Sequence, residues 1–398
     1  MNDKVKPTAV SSAHRPRVRQ AAAVVAALAA ASAIAACGSS SSSSSSTSSA
    51  ASAAAASASG SSSSGGGSAA QAALQPYLAT PTKINVTTPL KSAPPAGKTV
   101  VFMGTNNPSN VLVQQGVQKL ASLAHWNYSL VTYDPANPGT LTAAITNALA
   151  KHPQYITEAG NPLTPSQLSM IQKGGAKVVL NSVYPVTVTP PVIAQTDSAT
   201  QDALMGKIIA DYFVSDSGGK GDAVIEHVPS YPILDAFTNS FQAEVNKQCP
   251  ACKTSTANVT IPQLTAGQVP SVLVSALRSN PSAKYLVFDD GPFADGVTSA
   301  LAAAGLSSVK VIGEAADNAG VAALKTGKEQ AWTGYDPSYQ AYLATDAMFR
   351  DAEGMPIPQA EEATQPTQLL TKATVGNITA WSAPPDPLPQ FQALWKIQ

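Results

Sequence analysis

The side chains best placed to do chemistry are carboxylates that recur where short apolar runs give way to polar loops. Glu158 stands in EAGNP (158–162), Asp289 and Asp290 open DDGPF (289–293), Glu314 opens EAADN (314–318), and Asp336 lies in GYDPSY (334–339). Asp235 follows EHVPSYP (226–232). Around them Asn107, Asn110, Asn161, Ser182, Tyr184, Tyr231, Phe293 and Tyr335 add amide, hydroxyl and aromatic groups, while lysine and arginine are nearly absent from the same loops. Carboxylates and amides pair with hydroxyls, and aromatic faces stack on sugar rings. A ligand bearing an ammonium group would instead balance the acid excess. A phosphate or carboxylate ligand would want arginine or a helix-terminus glycine nest, and neither is evident. These fourteen residues are therefore predicted to bind a small polar ligand: a sugar or polyol first, a cationic or amine-bearing molecule second. The competing reading of Asp289 and Asp290 is a helix cap, because aspartate is recruited to helix starts for backbone reasons.

Catalysis fits the same residues poorly. Ser307 and Lys310 match Ser-x-x-Lys, but that chemistry needs the serine at a helix start with lysine one turn on. Here the pair joins a helix to a strand. No Gly-x-Ser-x-Gly elbow occurs, and Glu158 with Asp289 as a glycosidase pair competes with simple hydrogen bonding to hydroxyls. His125 and His152 lie outside the strand-end loops; His227 follows a strand and reads as structural. The histidines show no paired spacing suited to zinc. No enzyme, metal or cofactor is expected.

Elements to position these loops are visible as short apolar runs at 99–103, 128–133, 155–158 and 178–181, and again at 223–226, 256–261, 285–288 and 310–313. Helical periodicity lies between them: Val113, Val117, Leu120 and Ala124 share one face, and Leu141, Ile145 and Leu149 another. Further helices are predicted over 198–214, 234–247, 270–279, 293–304 and 318–326. Apolar strands alternating with helices predict parallel sheets covered on both faces. Two successive series predict two doubly wound α/β lobes. In such sheets ligands bind beyond the carboxyl ends of the strands, where the loops above fall.

The ends of the chain say where it works. Lys4, Lys6, Arg15, Arg17 and Arg19 precede an apolar run over 21–36, about 16 residues, short of the ~20 needed to span a bilayer. Basic head and short apolar stretch describe an export signal. Its ending, Ile34-Ala35-Ala36-Cys37, resembles a bacterial lipobox, which predicts lipidation of Cys37. No Arg-Arg pair points to the twin-arginine route. Residues 1–36 are thus predicted to be a signal peptide. Residues 37–95, rich in Ser, Ala and Gly, are predicted to be a disordered tether. Without the signal, 19 basic residues face 23 acidic ones, with no basic run, which argues against nucleic acid. Cys249 and Cys252, in QCPACK, are most simply a disulfide outside the cytoplasm.

Taken in order over about 98–352, NNPSNVLVQQGVQKLA, DSATQDALMGKIIADYF, GKGDAVIEHVPS, SNPSAKYLVFDDGPFADGVTSALAAAG, VKVIGEAADNAGVAALKTG and QAWTGYDPSYQAYLATDA resemble a type I periplasmic binding protein. The likeness is to the ribose-binding kind, as found in actinobacterial sugar-transporter lipoproteins. It implies lobes of 96–196 plus 337–370 and 197–336 plus 371–398. It further implies a hinge of three crossings near 192–197, 335–339 and 368–371, with a helix over 339–351 returning to the first lobe. The implied partners are an ABC permease with its ATPase, and the membrane through the lipid alone; a monomer is expected. A surface sensor presenting ligand to a receptor is the alternative role. The family's aromatics after Asn-Pro are Ser109 and Asn110 here, its Asp-Arg pair falls near Ser182 and Val183, and its Asn-Asp pair is approximated by Asp289-Asp290. The family's arginine aligns with Asp235, its later aspartate falls near Ala315 beside Glu314, and its hinge glutamine is Tyr335. The scaffold carries over; ribose as the ligand does not.

Overall fold

The computed structural model describes residues 65–135, 137–182, 187–358 and 363–398. The predicted signal, Cys37 and Tyr184 lie outside them. No helix among the described residues is long and apolar enough to cross a membrane.

Two parallel sheets organise the chain. In the first, β1 (Thr99–Gly104), β2 (Asn127–Thr132), β3 (Tyr155–Gly160), β4 (Lys177–Ser182) and β5 (Val192–Gln195) lie in the order β2-β1-β3-β4-β5. In the second, β6 (Asp222–His227), β7 (Lys253–Asn258), β8 (Tyr285–Phe288), β9 (Lys310–Gly313) and β10 (Ala331–Thr333) repeat that order. A last strand, β11 (Leu369–Thr371), pairs antiparallel with β10. The central strands are buried on both faces, which is why they read as unbroken apolar runs.

Helices cover both faces of each sheet. On the first lie α2 (Pro108–Leu123), α3 (Pro138–Leu149), α4 (Pro165–Lys173) and α11 (Tyr339–Ala352). On the second lie α5 (Ala199–Asp216), α6 (Asp235–Gln248), α8 (Val269–Ser279), α9 (Val297–Ala303) and α10 (Asn318–Thr326). Their starts are written locally. Asn107, Ser198 and Asp317 cap α2, α5 and α10, and Thr164 with Gln167 forms a capping box on α4. The strand predicted over 256–261 is β7, three residues earlier. Val259 is buried behind it, and Ile261 opens a short helix, α7 (Ile261–Thr265), capped by Thr260. The helix predicted over 293–304 is a 3-10 turn, Gly291–Ala294, then α9, divided at Gly296 with φ 76°.

Both chain ends depart from expectation. The segment predicted to be a disordered tether contains α1 (Gly65–Leu74), whose Ala70 and Leu74, one turn apart, enter the second lobe's core with α5 and α6. Ile84, Val86 and Leu90 then enter the first lobe's core. Their few apolar side chains suffice because each lands on a face already built. At the other end, α12 (Leu388–Trp395) packs in the first lobe, not the second, through Phe391, Leu394 and Trp395. A buried ion pair on α11 binds both additions. Arg350 Nε donates to Asp346 Oδ2 at 2.6 Å and Arg350 Nη2 to the Thr88 carbonyl at 2.6 Å, while Trp395 Nε1 donates to Asp346 Oδ1 at 2.8 Å.

The chain therefore passes between lobes more often than three times. The first expected crossing narrows to 196–198, because Val192–Gln195 is a strand of the first sheet. The third lies before β11, which belongs to the second sheet. Two further passes lie at 79–83 and 384–387, between side chains that pack in different lobes.

Candidate functional site

At the carboxyl edge of the first sheet, Tyr133, Glu158 and Asn161 form one unit. Glu158 is fully buried on β3, and its Oε1 accepts from the Tyr133 hydroxyl at 2.6 Å. That hydroxyl accepts in turn from the Asn161 backbone N–H at 2.8 Å. Gly160, at φ 135°, allows the approach: a Cβ there would lie 2.5 Å from the Tyr133 oxygen. Glu158 Oε2 has no hydrogen-bond partner. Burial pushes the Glu158 carboxyl up to about 8, partly offset by Tyr133 and Asn161.

The second lobe's edge is far more acidic. Glu226 and His227 end β6, Asp289 and Asp290 follow β8, and Glu314 follows β9. Asp202, in the first turn of α5, and Asp197, at the first crossing, complete the group. Glu226, Asp289 and Glu314 are 0%, 0% and 2% exposed, so water does little to screen them. Burial raises the carboxyls of Asp202, Asp290 and Glu314, and repulsion among these acids, Asp197 and Asp289 raises them further. Glu226 is raised by burial and then by Asp289. Asp197 is pushed up to about 6 by burial, against hydrogen bonds from Tyr335 and Gln340.

His227 is the basic side chain paired with acids of this group, a counter-ion when its ring is protonated. Its Nδ1 lies 2.8 Å from Asp289 Oδ2 and its Nε2 3.1 Å from Asp235 Oδ1. The hydrogen bond with Asp289 holds the imidazole above its usual range despite burial. Among the described residues, no lysine or arginine is ion-paired with these acids.

The predicted residues divide accordingly. Asp289, Asp290, Glu314 and Tyr335 come together; Tyr335 donates to Asp197 at 3.3 Å, and Gln340 Nε2 donates to the Tyr335 hydroxyl at 2.6 Å. Asp290 starts the 3-10 turn without a side-chain cap bond, although the Gly291 N–H lies close to its carboxyl. Tyr231 and Phe293 stack beside the acids, with centroids 6.5 Å apart and planes 21° apart. Asp235 is half exposed and turned to His227. In the first lobe, Asn110 is occupied: its Nδ2 donates to Thr105 Oγ1 at 2.8 Å and the Ala159 carbonyl at 3.2 Å. Asn161 Nδ2 donates to the Pro135 carbonyl at 3.2 Å. Ser182 ends β4.

Two predicted ligand residues hydrogen-bond the chain beside them, one as a helix cap and one in a turn. Asn107 accepts from the Ser109 N–H at 2.8 Å and starts α2. Asp336 accepts from Ser338 N–H at 2.9 Å and Ser338 Oγ at 2.6 Å, turning the chain into α11. Both are short polar residues just before a helix, where a cap competes with any ligand. The sequence did not single out Tyr133, Asp197, Gln201, Asp202, Glu226 and Gln340, which the fold brings to these sheet edges, and His227 was expected to be structural. Glu226 and His227 already stood at a strand end; Asp197 and Asp202 looked like helix-start residues. Cys249 and Cys252 are disulfide-bonded at the end of α6, away from these acids in the chain.

A family model described as the periplasmic binding protein domain matches residues 98–355. No curated protein matches the chain significantly. Among solved structures, a periplasmic ribose ABC transporter protein from Conexibacter woesei is 17% identical, with 73% of this chain and 97% of that one covered at a TM-score of 0.62. A solute-binding protein from Actinobacillus succinogenes with bound D-allose is 17% identical, covering 71% and 100% at a TM-score of 0.60. A candidate LacI transcriptional regulator from Bacteroides fragilis is 15% identical, covering 71% and 99% at a TM-score of 0.56. At these identities the likeness is one of fold, two α/β lobes of the type I kind.

Proposed function

The chain belongs to the periplasmic binding protein domain family, and from that premise we propose that it is an extracytoplasmic, lipid-anchored solute-binding protein that takes up a small polar, hydroxyl-bearing ligand between its lobes and delivers it to an ABC importer. The observation that carries the reading is the placement of buried polar groups with free hydrogen-bonding capacity at the carboxyl edges of both sheets. Glu158 offers Oε2 in the first lobe, and Asp289 offers Oδ1 and Glu314 offers Oε2 in the second. Such groups cost free energy unless something hydrogen-bonds them. Tyr231, Phe293 and Tyr335 supply aromatic faces for a sugar or polyol. Closure of two lobes about a hinge is the expected response to a ligand that both edges contact. Export and anchoring rest on the basic head, the apolar run and Cys37.

The test is a thermal-shift screen of the whole mature protein against sugars, polyols, amines, amino acids and organic anions, followed by small-angle scattering with each stabilising compound. A stabiliser that also lowers the radius of gyration is expected. If no compound in any class raises the melting temperature, the solute-binding reading fails.

A further inference from the structure

Resting on that reading, we propose that the ligand carries an ammonium group seated among the carboxylates of the second lobe, with its hydroxyls toward the first. The two edges differ in kind. The first presents one carboxyl held by a phenol, flanked by amides. The second gathers Asp197, Asp202, Glu226, Asp289, Asp290 and Glu314, with His227 as their ion-paired cation among the described residues.

A second observation is independent of the acid count. Asp289 Oδ1 and Glu314 Oε2 are buried without a hydrogen-bond partner, and neither Glu226 oxygen makes a bond of normal geometry, although the Asp289 carboxyl and N–H both lie close by. Both amide atoms of Gln201, beside Asp202 and 3% exposed, are also unpartnered. A neutral hydroxyl could donate to one such oxygen but would leave the mutual repulsion untouched. A primary ammonium brings three donors and a positive charge, matching several converging acceptors at once. Among the described residues no three His, Cys, Asp or Glu side chains are arranged to hold a metal ion. With hydroxyl recognition at the other edge, an amino sugar or amino alcohol is the class that satisfies both.

The test is calorimetry at pH 7 on the wild-type mature protein with glucosamine, ethanolamine and putrescine, against glucose, N-acetylglucosamine and glycerol. Ammonium compounds should bind at least 10-fold tighter than their neutral counterparts. Binding should also release protons, seen as a heat that differs between buffers of different ionisation enthalpy. Glu314→Gln should weaken the ammonium ligand about 10- to 150-fold while raising the melting temperature of the unliganded protein. A lowered melting temperature with unchanged affinity would mean that Glu314 is structural and overturn its assigned role. Neutral compounds binding as tightly as the amines, without proton release, would overturn the ammonium inference and leave solute binding standing. Failure of all three amines to bind would overturn the inference whatever the broader screen finds.

Discussion

Tyr155 and Tyr285 are counterparts in the two lobes. Each is the first residue of the third strand of its lobe, and each donates its hydroxyl at 2.7 Å to an aspartate, Asp351 or Asp216, in the last turn of a covering helix. Each aspartate also takes a lysine from the first residue of the next strand, Lys177 at 2.7 Å and Lys310 at 2.6 Å. Helix α11 therefore does for the first sheet what α5 does for the second, although it lies on the far side of the second lobe in sequence. The shared strand order extends the correspondence to the whole of both lobes.

The clasps should be separable. Tyr155→Phe and Tyr285→Phe should each lower stability by about 1.5–3 kcal/mol, as expected for a hydrogen bond to a charged group. The lysines are 51% and 39% exposed, so Lys177→Ala and Lys310→Ala should each cost about 1 kcal/mol or less. Denaturant unfolding checks both, and the two tyrosine effects should add because the sites share no partner.

Stability of the unliganded protein should fall as pH rises. The Glu158 carboxyl titrates near 8 in the folded chain and about 4.3 unfolded, so the folded state holds its proton more tightly. That contribution is complete below about pH 4 and lost as pH climbs through 8. Asp197, near 6, acts in the same direction over a lower window. Melting temperatures from pH 5 to 8.5 should decline, and Glu158→Gln should flatten the decline. An unchanged slope in the variant would remove Glu158 as its source.

Asp336→Ala should cost about 1.5–3 kcal/mol of stability, as expected for a buried carboxylate that accepts hydrogen bonds from Ser338 N–H and Oγ in the turn before α11. Affinity for any ligand found should stay within twofold, since this carboxylate faces Ser338. Calorimetry beside thermal melting separates the two effects.

Arg350→Leu leaves Asp346 buried without its cation and should cost about 3–5 kcal/mol. Thr88 and Trp395 meet the same pair, so limited proteolysis should then cut first near residues 80–95 or 384–398.

Cys37→Ser should abolish incorporation of labelled fatty acid and leave the melting temperature of the released body unchanged. Absence of label on the wild-type protein would end the lipid-anchor proposal.

Much of this architecture was legible because each buried strand is short, apolar and bounded by a cap. The strand at Tyr285–Phe288, followed by Asp289-Asp290, is the clearest case. What stayed hidden depended on distant partners. Gly65–Leu74 is as rich in small residues as the serine tract before it, and only the faces of α5 and α6 give Ala70 and Leu74 something to bury against. Strand β11 is three residues long and is specified by β10 rather than by its own pattern. In the site, the paired aspartates stood out by position. Glu226 closed an apolar strand run and Asp202 sat on a helix turn where an acid is ordinary; their proximity emerged only from convergence in space.

The buried indole of Trp395 sets an order of assembly. The second lobe draws on residues up to about 383, whereas the first requires Trp395, three residues from the end of this sequence. A chain emerging amino terminus first delivers β1 to β5 early, yet their core stays open on the face that α11 and α12 must close. The lobe whose sheet emerges first is thus the lobe finished last, and that sheet waits for α11 and α12 while the rest of the chain arrives. If the chain is exported as a thread, as proposed, that delay is an advantage: nothing completed on the near side has to be undone before passage.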